Sequence, residues 1–108
     1  MFYELRRYHC TPGRLEDVDR RFSEHVLGFF EQHGIQPVAF WRTYIGPSSN
    51  EFVYVLRWDS LADREQRWGA FASDPAWLAV RRETEAAGPL LERIETALMT
   101  PTAYSPTP

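Results

Sequence analysis

The sequence contains no lysine, and all twelve of its basic residues are arginine. The absence of lysine excludes Schiff-base chemistry and general-base catalysis by lysine. Cys10 is the only cysteine, so no disulfide bond can form within the chain. No apolar run approaches the roughly 20 residues of a membrane span. Met1 leads directly into a strand pattern, without a basic and then apolar signal segment. We therefore expect a cytoplasmic protein with no membrane association.

Motifs with a built-in mechanism are also missing. The sequence has no phosphate-binding loop, no dinucleotide glycine fingerprint, no HExxH and no G-x-S-x-G. His9, His25 and His33 lack a cysteine or second histidine at metal-ligand spacing, so we expect no metal and no cofactor. The net charge is −3 and no basic cluster exceeds two consecutive residues, which argues against nucleic acid as a partner.

Aromatic residues are abundant. The chain has 108 residues, which predicts one domain, and 15% of them are aromatic. Four Trp, five Tyr and seven Phe exceed what one small core needs. We therefore expect some of them to line a pocket or an interface.

The hydrophobic pattern predicts alternating strands and helices. Residues 2–9 read as a strand, and an apolar stripe with three- and four-residue steps predicts a helix that Gly34 ends. The stripe consists of Leu15, Val18, Phe22, Val26, Phe29 and His33. The later elements are strands at 36–45, 51–58 and 91–99, a helix at 61–72, and a helix that begins at Pro75 and ends before Gly88.

The order β-α-β-β-α-β predicts an α+β, ferredoxin-like fold. It consists of a four-stranded antiparallel sheet with both helices on one face. We assign residues 1–99 to this domain and residues 100–108 to an extended, Pro-rich tail. The other sheet face carries apolar residues and needs a cover, so we expect a homodimer in which two sheets face each other across a two-fold axis.

The first strand has two unusual faces. Phe2, Glu4, Arg6 and Tyr8 lie on one face, and Tyr3 lies with Leu5 on the other. We predict that Tyr3 and Leu5 face the helices and that the Glu4 row faces the second subunit. Glu4 and Arg6 then form an ion pair at the dimer interface, or alternatively Arg6 polarises a ligand carbonyl.

Several segments along the chain carry a family resemblance. They are Tyr3-Glu4-Leu5-Arg6 with Tyr8, Pro12-Gly13, Phe40-Trp41-Arg42-Thr43, Ile45-Gly46-Pro47, Asn50, Ser60-Leu61-Ala62-Asp63-Arg64-Glu65 and Asp74-Pro75-Ala76-Trp77. No single segment is specific, but their order and spacing together resemble the NIPSNAP family of the dimeric α/β-barrel superfamily. The resemblance implies a dimeric α/β barrel with a ligand pocket between the sheet and the helices of each subunit.

The chain departs from the family pattern at three positions. Tyr54 and Leu56 stand where family members often carry His and Trp, and Trp68 stands where an Arg is common. These replacements favour an apolar, aromatic ligand. The wider superfamily includes cofactor-free monooxygenases of aromatic polyketides, cyclases, isomerases and haem enzymes, and the resemblance implies these activities only by analogy of fold. Use of haem or of a metal is disfavoured.

Three residues are candidates for catalysis. His25 lies on the apolar helix stripe and could take a proton from a phenol or enol, or else it is a hydrogen-bonded core residue. Arg6 and Arg42 are candidates to stabilise an enolate. Candidate ligand-binding residues, each with plain core packing as the alternative, are Trp41, Tyr44, Tyr54, Trp58, Trp68 and Trp77.

A second group of charges has a simpler interpretation. Glu16, Asp17, Asp19, Arg20 and Arg21 are assigned to a solvated helix face. Two functions remain open at this point. One is a tailoring enzyme that acts on an aromatic or polyketide-like molecule without a cofactor. The other is a dimer that binds a small molecule, or has a structural role, without catalysis.

Overall fold

The four strands form one antiparallel sheet. A computed structural model describes residues 1–106 of the chain. The strand order is β2-β3-β1-β4, so that β1 and β3 are central. The strands are β1 (Phe2–Cys10), β2 (Gln36–Arg42), β3 (Glu51–Trp58) and β4 (Leu91–Met99). The predicted β-α-β-β-α-β order and ferredoxin-like fold are confirmed. Residues 107 and 108 of the tail predicted at 100–108 lie outside the described residues.

Two helical connections join the strands. The first leads from β1 to β2 and the second from β3 to β4. Their helices are α1 (Leu15–Arg21), a π-helical segment (Phe22–Val26), α2 (Leu27–His33), α3 (Leu61–Ala72) and α4 (Pro75–Thr84).

Local sequence signals explain the helix ends. The Ser60 hydroxyl accepts a hydrogen bond from the Asp63 backbone N–H at 3.0 Å, and the Asp74 carboxylate accepts one from Ala76 N–H at 2.9 Å. Both satisfy amide groups that the first helical turn leaves unpaired. Gly34 ends α2 with φ +69°, a left-handed conformation that glycine adopts without strain.

The π-helical segment corrects the phase of the first helical connection. Val18, Phe22, Val26 and Phe30 are buried and lie four residues apart. In a straight α-helix each such step rotates the side chain by about 40° away from the preceding one. The wider π turn keeps all four residues directed at the sheet. His25 consequently leaves the buried stripe and is only half-buried.

The helices cover the Glu4 face of β1, so the predicted orientation of this strand is wrong. Glu4, Arg6 and Tyr8 pair with Leu56, Tyr54 and Phe52 of β3 in that order, on the face packed against the helices. The side chains of Phe52, Tyr54 and Leu56 on β3 pack against the apolar stripe of the helices. Residues paired across two strands point to the same face of the sheet, so their β1 partners also face the helices. Tyr3 and Leu5 lie on the opposite face.

Strand β2 is shorter than predicted. It ends at Arg42, whose partner Phe52 lies one residue inside β3. Tyr44 and Ile45 were expected in the strand, but they are 95% and 89% exposed in the connection to β3. The prediction extended the strand over these residues because of their aromatic and β-branched side chains. Strand β3 begins at Glu51, however, so it offers them no pairing partner.

The opposite sheet face has apolar residues at its middle and charged residues, among them Arg7, Arg57 and Glu95, toward its ends. It carries Tyr3 and Leu5 from β1, Val53 and Val55 from β3, and Trp41 from β2. No helix of the described residues packs against it, and Trp41 is 51% exposed. We call this surface the open sheet face. Within residues 1–106, no helix is long and apolar enough to cross a membrane.

Candidate functional site

A cavity of about 450 Å³ lies between the sheet and the helices. The sheet contributes residues from β1, β3 and β4, and the helices contribute residues from α1 through α4. Exposed residues of α4 and β4 line one side, so the cavity opens between these two elements. The lining residues are Arg6, Tyr8, Arg21, Phe22, Val26, Phe30, Tyr54, Trp68, Phe71, Ala72, Trp77, Arg81, Glu85, Leu91, Glu92, Arg93 and Ile94.

Arg6, which lines the cavity, belongs to a buried ion pair. Arg6 Nη1 donates to Glu4 Oε2 at 2.9 Å, and Glu4 is fully buried. Glu4 also accepts from Arg64 Nε at 2.8 Å and from Trp58 Nε1 at 3.0 Å. Burial by itself would raise the pKa of Glu4, but the hydrogen bonds from Arg64 and Arg6 outweigh it and hold the pKa below its usual range. Glu4 is therefore ionised, and its role is structural, because it accepts hydrogen bonds from Arg6, Arg64 and Trp58.

Two phenols extend this network to the cavity. Arg6 Nε donates to the Tyr54 hydroxyl at 2.8 Å, and the Tyr54 and Tyr8 hydroxyls are 2.7 Å apart. Burial raises the pKa of Tyr54 well above its ordinary value, and the neighbouring Tyr8 raises it further. Tyr54 therefore stays protonated and donates hydrogen bonds. If it donates to Tyr8, the Tyr8 proton remains free for an oxygen atom of a ligand.

The raised pKa of Tyr54 makes an alkaline titration informative. We expect fewer than all five tyrosines to ionise in the folded protein before it unfolds, as measured by phenolate absorbance. A pKa raised by folding contributes stability below the unfolded value of about 10, and that stability is lost as pH rises. Tyr54→Phe should leave the native titration curve unchanged and remove one group from the curve in denaturant. Loss of a group from the native curve near pH 10 would contradict this account.

Three aromatic side chains form one wall of the cavity. Trp68 and Phe71 of α3 have ring centroids 5.2 Å apart, and Phe71 lies 5.0 Å from Trp77 of α4. We call these three residues the aromatic wall. A guanidinium lies near each end of it. Arg6 lies 4.3 Å from the centroid of a Trp68 ring, and Arg21 lies 5.3 Å from that of Trp77. Planar rings and cations on both sides are typical of a site for a flat ligand.

The two guanidinium groups differ in their hydrogen bonds. All three nitrogens of Arg6 donate, to Tyr54, Glu4 and Tyr8. Arg21 is only 5% exposed, yet its Nε has no hydrogen-bond partner among residues 1–106. Its Nη1 donates to Thr84 at 3.3 Å and to Glu85 at 3.4 Å, which are long for such bonds. Burial lowers the pKa of Arg21, and Glu85 only partly offsets this effect.

Four of the predicted site residues come together at the cavity. Arg6, Tyr54, Trp68 and Trp77 line it. Trp58 is buried beside it and donates to Glu4 rather than lining the space. The predicted ion pair between Arg6 and Glu4 forms as well, but it lies on the helix-covered face of one subunit and not at a dimer interface.

The other predicted site residues lie elsewhere. His25 does not line the cavity but a shallow surface pocket with charged neighbours, among them Arg14 and Asp17. Arg42 forms ion pairs with Glu16 at 2.6 Å and with Asp19 at 3.3 Å on the surface.

The two remaining predicted ligand-binding residues do not line the cavity. Trp41 lies on the open sheet face and Tyr44 lies in the exposed connection after β2.

The sequence interpretation missed Tyr8, Phe71 and Arg21 as cavity residues. Arg21 was assigned to a solvated helix face, which is wrong because it is buried. A signal was present, since Arg21 follows the buried Val18 by three residues and therefore lies on the same side of α1. Among residues 1–106, no group of three or more His, Cys, Asp and Glu side chains could hold a metal ion.

Comparisons with known proteins agree with this architecture. The NIPSNAP family model matches residues 3–106. The chain belongs to the NIPSNAP family. A NIPSNAP family protein of unknown function from Agrobacterium tumefaciens has a similar crystal structure, with 29% identity, TM-score 0.86 and coverage of 98% of this chain and 92% of the other. A NIPSNAP domain protein from Burkholderia xenovorans has 24% identity and TM-score 0.85 over 99% of this chain and 100% of the other.

More distant structures share the fold only. An antibiotic biosynthesis monooxygenase has 13% identity and TM-score 0.61 over 94% of this chain and 99% of the other. No protein with a curated description matches the chain. The family model therefore establishes the family, and the likeness to the monooxygenase concerns the ferredoxin-like fold alone.

Proposed function

We propose that this NIPSNAP protein is a homodimer that binds a planar aromatic, polyketide-like molecule in the cavity of each subunit. One observation carries the proposal: the aromatic wall of Trp68, Phe71 and Trp77 lines the same cavity as the Arg6–Tyr54–Tyr8 network. The wall can stack on a flat ring, and the network offers a proton to an oxygen on that ring. A volume of about 450 Å³ suits a small molecule of this kind.

The chemistry that this site supports best is stabilisation of an enolate or phenolate. As negative charge develops on the ligand oxygen, a hydrogen bond from Tyr8 strengthens, and the charge of Arg6 supports it through Tyr54. This role suits a tailoring enzyme of the monooxygenase, cyclase or isomerase type that works without a cofactor. Tyr8 and Arg6 then replace the predicted trio of His25, Arg6 and Arg42 as the proposed reactive groups.

A second candidate function is binding without catalysis. It is favoured by one observation, namely that no histidine is among the cavity-lining residues. Of the two lining carboxylates, Glu85 is held by Arg21 and by Arg81 at 3.2 Å, which weakens it as a base. Incubation with a bound aromatic ligand, followed by mass spectrometry, separates the two functions. A changed product supports the enzyme, and an unchanged ligand supports the binding protein.

Removal of one wall residue tests the proposed ligand class. We expect Trp68→Ala to weaken binding of 2-naphthol by about tenfold or more, because it removes stacking and apolar contact. Isothermal titration calorimetry measures the affinity. Tyr44→Ala is the control, because it truncates an aromatic side chain that is 95% exposed in the connection after β2, and it should leave the affinity unchanged. Equal losses in both variants would contradict the assignment of the cavity.

The proposed dimer covers the open sheet face. Val55 lies on this face in central strand β3, where it pairs with Leu5 of β1 and Ala39 of β2. The apolar side chains at the middle of this face are stabilised by burial against a second copy across a two-fold axis.

A charged substitution tests the dimer. We expect Val55→Glu to place two like charges at the buried contact and to release folded monomers. Light scattering should give twice 12.6 kDa for the wild type and 12.6 kDa for the variant. Leu61→Glu, on exposed α3, is the control and should remain a dimer. A wild-type mass of 12.6 kDa at micromolar concentration would refute the dimer.

A further inference from the structure

We propose that the ligand carries a carboxylate, and that Arg21 at the Trp77 end of the aromatic wall is the residue that binds it. This inference rests on the proposed function and narrows it, from a planar aromatic molecule to an aromatic acid. Two independent observations carry it: the incomplete hydrogen bonding of a buried guanidinium, and the charges that line the cavity.

Arg21 is a buried cation with an unfilled hydrogen-bonding capacity. Its Nε has no partner among the described residues, and its bonds to Thr84 and Glu85 are long. A buried polar group without partners destabilises a fold, and a buried charge does so more strongly. An unsatisfied buried group in a folded protein needs an explanation, and a site for an ion or a ligand is one of them. The fully bonded Arg6, at the other end of the wall, serves as the internal comparison.

The charges around the cavity favour an anion. Four arginines and two glutamates line it. Glu85 accepts hydrogen bonds from both Arg21 and Arg81, so that one carboxylate serves two guanidinium groups and one positive charge remains uncompensated. A carboxylate is planar and matches the two-pronged geometry of a guanidinium.

The arrangement also fixes the orientation of the ligand. The ring lies against Trp68, Phe71 and Trp77, and the acid group points to Arg21. A ring oxygen then lies toward Tyr8, which lines the same cavity. The site therefore distinguishes an aromatic acid from its neutral analogue by one charged contact.

A matched pair of probes tests this inference. Calorimetry of the full-length protein compares naphthalene-2-carboxylate with the isosteric naphthalene-2-carboxamide. We expect the carboxylate to bind at least tenfold more tightly to the wild type. Arg21→Gln should reduce the carboxylate affinity to that of the amide and leave amide binding unchanged. Arg82→Gln, an exposed neighbour on α4, should change neither affinity.

Glu85→Gln is a second test that does not require the Arg21 variant to fold. Glu85 competes with the ligand for Arg21, so its neutralisation should tighten carboxylate binding severalfold and leave amide binding unchanged. A loss, or no change, in carboxylate affinity overturns the inference. Equal wild-type affinities for acid and amide overturn it too, and they leave the proposed aromatic site intact. Failure of both probes to bind overturns the inference and the proposed function together.

Discussion

Glu4→Ala should destabilise the protein by about 3–5 kcal/mol, because it removes the partner of a buried charge. The variant leaves the Arg6 guanidinium in the interior without its anion, and Trp58 and Arg64 lose an acceptor as well. For a chain of about 100 residues, such a loss lowers the melting temperature by more than about 10 °C. Urea denaturation at neutral pH measures the effect.

Two variants serve as controls for Glu4→Ala. Glu65→Ala removes an exposed carboxylate that pairs with the same Arg64, and it should cost less than about 1 kcal/mol. Arg6→Met should cost less than Glu4→Ala, since Glu4 keeps Arg64 and Trp58 as donors. A Glu4→Ala variant as stable as Glu65→Ala would show that the buried network does not hold the fold together.

The same carboxylate makes the stability depend on acid. Because folding lowers the pKa of Glu4, its contribution is present above the unfolded value of about 4.5 and is lost as pH falls through the lower, folded value. The wild type should therefore lose stability below about pH 4.5 more steeply than Glu4→Gln does.

Arg21→Met should leave the fold equally stable or increase its stability by about 1 kcal/mol or more, while it abolishes the preference for a carboxylate ligand. The variant replaces an incompletely bonded, buried guanidinium with an apolar side chain that can pack on Trp77. Glu85 is not left alone, because Arg81 still donates to it. Melting temperature and urea denaturation check the stability, and calorimetry checks the ligand preference.

The opposite result would give Arg21 a different role. A loss of more than about 2 kcal/mol in Arg21→Met, comparable to Arg6→Met, would mean that Arg21 stabilises the fold. Stability and ligand preference should instead change in opposite directions, as is usual where a binding site carries unsatisfied groups.

The order and the type of the secondary structure elements were predictable from the sequence. Strand β3 at Glu51–Trp58 and strand β4 at Leu91–Met99 agree with the predicted bounds. Ser60 and Asp74 marked two helix starts, because their side chains satisfy nearby amide groups whatever the tertiary fold. Such local chemistry is fully encoded in a few neighbouring residues.

The orientation of β1 was not predictable in the same way. A buried Glu next to a buried Arg looks unfavourable until Arg64, sixty residues further on, completes its hydrogen bonds. The sequence pattern therefore assigned the Glu4 row to an outer surface, whereas long-range pairing places it in the interior. The tertiary partners decided which face was buried.

The candidate site was predicted in part for related reasons. Trp68 and Trp77 lie on helices with regular apolar spacing, and both reach the cavity. His25 does not, because the π-helical segment at Phe22–Val26 changes the phase of the helix. Arg21 was missed because an arginine beside another arginine was taken for a surface residue, although α4 covers it.

The most direct test of the account is a crystal structure of the protein with naphthalene-2-carboxylate at saturating concentration. The account predicts electron density for the ring between Trp68, Phe71 and Trp77, with the carboxylate at Arg21. Density confined to the open sheet face near Trp41, or an empty cavity despite binding in solution, would contradict it.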